Sequence, residues 1–253
     1  NLDVYKTLNR IKALNVRQSR SILLTLLRMI NDNSFWSNSG SADIKKTLVL
    51  IENFTFCFSS ICRKSPSALE NIYSKYSISL NEEYLKNNKH TKDNIEKILK
   101  EFKNKLMEIY PTLNEFKDNF VKLEYKQSTK QISFLKYIIQ KLNYGDNTEQ
   151  IFDHVTLEHL LPQNPDSEWG MAKEDIINYV DKIGNIIPLG LEYNQKASNL
   201  VIEKKIQMYE KSHINMTRDM VLKLKQNKFK WSEKEINKRT LDLADNAWVM
   251  WGV

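Results

Sequence analysis

Apolar residues recur along the first half of the chain at helical spacing. Ile22, Leu23, Leu26, Leu27 and Ile30 form one stripe, and Ile44, Leu48, Ile51 and Thr55 a second. Ile95, Leu99, Phe102, Leu106 and Ile109 form a third, and Phe134, Leu135, Ile138, Ile139 and Leu142 a fourth. A side chain returning to one face every three or four positions predicts amphipathic helices packed around a shared interior. Turn-forming residues agree with this. Of six glycines only Gly40 precedes residue 145, and three of the five prolines are Pro162, Pro165 and Pro188. Glycine and proline interrupt regular structure, so residues 1–144 are predicted mostly helical and 145–193 loop and strand. Pro66 and Pro111 punctuate the helical half.

Composition narrows the class. The chain has 253 residues, 41% hydrophobic and 27% charged, which excludes a disordered chain and allows one large domain or two small ones. Its longest apolar run, Ile22 to Leu27, is broken by Thr25 and is far too short to span a bilayer. Cys57 and Cys62 have no histidine near them in sequence, so a zinc finger is excluded. They read as small buried hydrophobes in a reducing, cytoplasmic compartment. The first residue is Asn1 and no signal pattern follows it, so the chain is expected to be a piece of something longer.

Charge is uneven. Residues 1–144 carry 24 basic and 14 acidic side chains, 146–193 carry 2 and 10, and 194–230 carry 9 and 3. An acidic segment between basic ones suits a divalent cation beside a polyanion, although ordinary surface charge gives the same totals. The lysine-rich stretch 86–105 is a weaker signal. Glu96 and Lys100, Lys97 and Glu101, and Glu101 and Lys105 are each four apart, the pattern of a solvated helix face.

The acidic segment holds the chemistry. Residues 154–164 read His-Val-Thr-Leu-Glu-His-Leu-Leu-Pro-Gln-Asn. Gly184-Asn185-Ile186-Ile187-Pro188-Leu189 follows as a second short strand, and Asn194 opens a basic helical stretch through Lys204, Lys205 and Tyr209. The order of strand with His, strand with Asn and helix with Asn resembles the ββα-metal (His-Me finger, HNH) nucleases. Phosphodiester cleavage needs an activated water, a cation on the leaving oxygen and positioning. Histidine takes a proton near neutral pH. A divalent ion held by a carboxylate or amide oxygen offsets the developing charge.

Further residues sharpen the resemblance. Leu157 through Asn164, Trp169, Tyr179, Ile183-Gly184-Asn185, Asn194, Ser198-Asn199, Tyr209 and the tail of Trp231, Ile236, Arg239, Leu243-Ala244 and Trp251 resemble the C-terminal HNH domain of GmrSD-type, modification-dependent restriction enzymes. The likeness is close over residues 134–253, and Arg63 within an apolar helix fits that family's helical middle segment. It implies a DNA endonuclease or nickase of bacterial anti-phage defence, using Mg²⁺ or Mn²⁺ on double-stranded phage or foreign DNA. It also implies an N-terminal sensor with NTPase activity ahead of this chain. His159 would be the general base, Asn194 a catalytic residue and metal ligand, Glu158 a metal ligand, and Asn185 a brace for the loop or the His strand.

Several assignments stay open on the residues alone. Adjacent residues of a flat strand face opposite ways, so Asp153, an even six positions from His159, rivals Glu158 as ligand. His154 lacks the x-x-Pro sequel and reads as an ordinary polar or core histidine. Lys196, Lys204 and Lys205 are candidate phosphate contacts or a solvated helix face. Trp169, Trp231, Trp248 and Trp251 read as packing anchors. A catalytically silent DNA-binding or coupling module is the alternative function, and intact His159 and Asn194 argue against it. Scattered aromatics argue against a single-stranded RNA target. The fold expected is mainly α: a helical domain over 1–144, then over 145–253 a small ββα-metal finger embedded in helices, with its hairpin around residues 155–190.

Overall fold

A computed structural model describes residues 2–15, 17–32, 42–65, 67–145 and 155–253. Pro66, Asp153 and His154 lie outside the described residues. The protein is mainly helical with a two-stranded antiparallel sheet. By its contacts the chain forms two compact units, residues 1–116 with 251–253, and residues 117–250. The junction expected between 144 and 145 lies inside the second unit, because the helix just before it packs on that unit's sheet.

The first unit contains α1 (Leu2–Ala13), α2 (Arg20–Ile30), α3 (Ala42–Thr55), α4 (Ser67–Lys86) and α5 (Thr91–Met107). Packing of α4 against α2 and α5, and of α3 against α1 and α5, buries the expected stripes. Ile22, Leu26, Ile44, Leu48, Ile51, Ile95 and Phe102 all lie in this core. The lysines of α5 stay on its solvent side: Lys97, Lys100, Lys103 and Lys105 are exposed, and Lys105 pairs with Glu108. After α3 the chain widens into π-helix over Phe56–Ile61, which carries the buried Cys57. Trp251 belongs to this unit and stacks on Phe56 with ring centroids 4.1 Å apart. Its carbonyl accepts from the Cys57 thiol and from the Tyr110 hydroxyl. Cys62 is half-buried, and burial pushes its thiol up to about 11.

From α6 (Leu113–Phe120), within which the division falls, the chain enters the second unit. Next come α7 (Thr129–Tyr144), β1 (Val155–His159), the single turn α8 (Lys173–Ile176), β2 (Ile186–Gly190), α9 (Leu191–Ala197), α10 (Ile202–Tyr209), α11 (Asn215–Gln226) and α12 (Glu233–Trp251). The strands pair from Val155 opposite Gly190 to His159 opposite Ile186. Helix α9 packs on both strands, α7 and α11 pack on β2, and α10 packs on α9 and α11. Pro188 is tolerated within β2 because a two-stranded ribbon leaves each strand one edge without a ladder.

Gly184, in the tight turn before β2, is required by close approach. A Cβ there would meet the carbonyl oxygen of Ile236 at 2.2 Å and the Thr240 hydroxyl at 2.3 Å. Backbone of α12 therefore lies directly against the start of β2. Arg239 of α12 fastens the contact by donating to the carbonyls of Gly184 (2.6 Å) and Ile186 (2.8 Å). Burial lowers this guanidinium to about 10, partly offset by Asp242.

Candidate active site

His159 ends β1 and is 12% exposed at its side chain. Its Nε2 lies 3.1 Å from Oδ1 of Asp181, which also accepts from the Gln163 amide at 2.6 Å. Tyr125 meets the imidazole edge-on, with centroids 4.8 Å apart. Backbone pairing gathers these groups. The Tyr125 N–H donates to the Asp181 carbonyl and the Ile183 N–H to that of Leu123, laying 123–125 beside 181–183. Burial raises the Asp181 pKa, but hydrogen bonds from His159 and Gln163 and the His159 charge outweigh it and hold the carboxyl below its ordinary value. A carboxylate ionised at neutral pH only accepts. In the neutral ring Nε2 therefore carries the shared proton and Nδ1 keeps the lone pair.

Asn194 projects from α9 back onto β1. Its amide nitrogen donates to Thr156 Oγ1 (2.7 Å) and to the Leu157 carbonyl (3.3 Å). The amide oxygen has no hydrogen-bond partner among the described residues. Glu158 is 4% exposed, and its Oε1 accepts from Lys205 Nζ (2.7 Å) and the Tyr209 hydroxyl (2.9 Å), both on α10. Burial lowers the Lys205 pKa against the opposing pull of Glu158. Burial, then the charge of Glu158, raises Tyr209 well above its ordinary value.

Glu158, His159, Gln163, Asn164, Asn194 and Asn199 border a groove of about 180 Å³. Gln163 and Asn164 also border a second cleft of about 550 Å³, lined besides by Tyr125, Lys126, Lys173 and Asp181. His159 borders the groove and Asp181 the cleft, and Gln163 and Asn164 stand in the walls of both. Of the groove's residues, Asn194 has an amide oxygen and Glu158 a second carboxylate oxygen that their hydrogen bonds leave over. Two hard oxygens, with room for water, fit a magnesium-type ion that keeps most of its hydration. No cluster of three or more His, Cys, Asp or Glu side chains arranged for a metal occurs among the described residues.

The other expected site residues lie elsewhere. Asn185 is 0% exposed and does not border the groove. Its Oδ1 accepts from the Leu161 N–H and the Trp231 indole N–H, each at 2.9 Å. Its Nδ2 donates to the carbonyls of Leu161 and Val180, each at 2.7 Å. It is a fully satisfied brace between the end of the His strand, the turn before β2 and the segment that joins α11 to α12. Lys205, expected on a phosphate-facing surface, is 0% exposed and spans Glu158 and the His159 carbonyl instead. Its reach ends inside, because the buried Glu158 carboxylate needs a counter-charge. Lys204 pairs with Glu168 at 2.6 Å and Lys196 with Glu192. Trp169 is half-buried, and its indole N–H donates to the Asn199 carbonyl.

Sequence reasoning missed Asp181, Gln163 and Tyr125. Asp181 had counted only toward the charge of the acidic segment, and its place just before Lys182-Ile183-Gly184-Asn185 was the one available signal.

No helix among the described residues is long and apolar enough to cross a membrane. No curated protein matches the chain. The sequence profile of the family described as GmrSD restriction endonucleases, C-terminal domain, matches residues 110–246. That span begins earlier than the closely similar region expected from residue 134, and it includes His159, Asp181, Asn185 and Asn194. With more than half of its length matched, the chain belongs to the family of GmrSD restriction endonuclease C-terminal domains.

Proposed function

We propose that the chain is the DNA-cutting module of a restriction system directed at phage or foreign DNA, a metal-dependent endonuclease of the HNH type. The carrying observation is that His159, Asn194 and Glu158 border one groove while Asp181 holds Nε2 of His159. The succession of β1, β2 and α9, with the histidine ending the first strand and an asparagine on the helix, supports a ββα-metal finger.

His159 Nδ1 takes the proton of a water aimed at the phosphorus, and the charge of Asp181 stabilises the imidazolium formed. Asp181 and Gln163 also fix the ring so that one nitrogen serves as base. Asn194 and Glu158 would hold the cation, which when bound stabilises negative charge on the phosphate and the departing 3′-oxygen. Lys205 and Tyr209 occupy one oxygen of Glu158 and keep the other turned toward use, as outer groups do around ligating carboxylates. Lys126 and Lys173, exposed in the adjoining cleft, contact flanking phosphates.

The test is conversion of supercoiled plasmid to open circle with Mg²⁺ or Mn²⁺ and with EDTA, for the wild type and His159→Ala. Metal-dependent nicking that disappears in the variant is expected. Nicking that survives His159→Ala would overturn the site. Salt-sensitive DNA binding without any nicking would replace the nuclease with a silent DNA clamp.

A further inference from the structure

All three lysines expected to hold phosphates beside Asn194 are engaged by carboxylates: Lys196 by Glu192, Lys204 by Glu168 and Lys205 by Glu158. Unpaired positive charge gathers instead between α11 and α12. A groove of about 500 Å³ there is bordered by Lys223, Lys230, Lys234 and Lys238. All four are exposed, and among the described residues none has a carboxylate at ion-pair distance. The charge of Lys230 acts on Glu235 without an ion pair, and the groove's two carboxylates leave its lysines in excess. Glu235 is taken by the backbone N–H and hydroxyl of Ser232, and Asp242 acts on the buried Arg239.

Such a cluster repels itself. Lys234 and Lys238 are four apart on α12, a like-charge spacing that destabilises a helix. Its walls are nonetheless built deliberately. Phe229 donates from its backbone N–H to the Leu224 carbonyl at 2.7 Å, closing α11, and Lys228 and Phe229 take φ of 49° and 60° to reverse the chain. Non-glycine residues adopt that conformation at a cost, so the reversal is held by its surroundings.

The groove is also tied to the reaction centre. Trp231 and Arg239, both lining it, bond respectively to Asn185 and to the carbonyls of Gly184 and Ile186. Asn185 in turn bonds to Leu161, and Ile186 pairs with His159. A polyanion seated there is held in fixed register with the cleaved bond.

We propose that this groove is a second DNA contact, which takes the sugar–phosphate backbone of duplex flanking the cut, with the four free lysines on phosphate oxygens. The assignment rests on the endonuclease reading for its choice of ligand. A sugar–phosphate backbone supplies a run of anions for the four ammonium groups, and release of condensed counterions drives the binding.

The test measures anisotropy of a labelled duplex several helical turns long with the full chain, in EDTA, over a series of salt concentrations. Wild type is compared with the quadruple variant Lys223→Gln, Lys230→Gln, Lys234→Gln, Lys238→Gln. A control of equal charge change is Lys89→Gln, Lys97→Gln, Lys100→Gln, Lys103→Gln. Circular dichroism checks that both are folded. The slope of log K against log salt is expected to fall by about 3 to 4 in the groove variant, at roughly 0.9 per phosphate contact, with affinity down at least about tenfold. The control should lose about 1 or less from the slope. An unchanged slope in the groove variant overturns the proposal, as does a wild type that binds no duplex. So does displacement of DNA by polyglutamate at lower concentration than by unlabelled duplex, which would make the occupant an acidic polypeptide. Binding in EDTA is read apart from cleavage. A wild type that nicks while the groove variant binds normally refutes the groove alone. Groove-dependent binding without nicking refutes the nuclease alone.

Discussion

Asn185 offers the most quantitative test of how the site is held. Its side chain makes four hydrogen bonds, to the Leu161 N–H, the Leu161 carbonyl, the Val180 carbonyl and the Trp231 indole, all between 2.7 and 2.9 Å and out of water. Asn185→Ala deletes all four. At about 1 kcal/mol net for each bond the loss is about 4 kcal/mol, and it grows where a stranded buried group finds no water. Trp231→Phe removes one of the four and should cost about 1 kcal/mol. Urea unfolding followed by far-UV circular dichroism reads both variants. A loss below about 1.5 kcal/mol for Asn185→Ala, or equal losses for the two variants, would refute the brace. A brace also predicts that the surviving folded fraction of Asn185→Ala nicks poorly because β1 and the turn before β2 have lost their common tie. The conservative Asn185→Asp should not rescue it, since the carbonyls of Leu161 and Val180 would then face a carboxylate.

The buried Lys205–Glu158 pair should show strong coupling. Removing one partner by Lys205→Met or Glu158→Gln should cost about 3 to 5 kcal/mol, and the double variant should cost less than the sum, measured by a double-mutant cycle in urea. Asp181 is held below its ordinary 3.8, so its contribution is complete above that value and is lost as pH falls through the lowered one; it stays charged through the neutral range. Asp181→Asn should therefore lower stability near neutrality, with the loss shrinking as pH falls below 3.8. It should lower the nicking rate by about 10- to 1,000-fold, because the ring loses the carboxylate that orients it and stabilises the imidazolium. An unchanged nicking rate would remove Asp181 from the mechanism.

Much of this protein was written locally. The stripe of Ile44, Leu48, Ile51 and Thr55 became the buried face of α3 because burial in a helix follows a short fixed period. Glycine and proline beyond residue 144 marked the turns around β1 and β2, and the motif order put His159 on the first strand and Asn194 on the helix, while Asn185, expected at the start of the second strand, lies in the turn just before it. Tertiary structure decided which of those residues face the groove. Asn185 and Asn194 look alike in the sequence, yet one is wholly enclosed and the other keeps a free oxygen, since the first is closed over by Trp231, from the chain between α11 and α12. Lys204 and Lys205 are neighbours in a basic run, but one helical step turns Lys205 inward to Glu158, 47 positions away, and leaves Lys204 at the surface. Asp181 meets His159 across 22 positions through the pairing of 123–125 with 181–183. Periodicity records which face of an element leaves water. The partner that a desolvated charge finds there is chosen by distant chain, because burying it alone costs more than a folded protein has to spare.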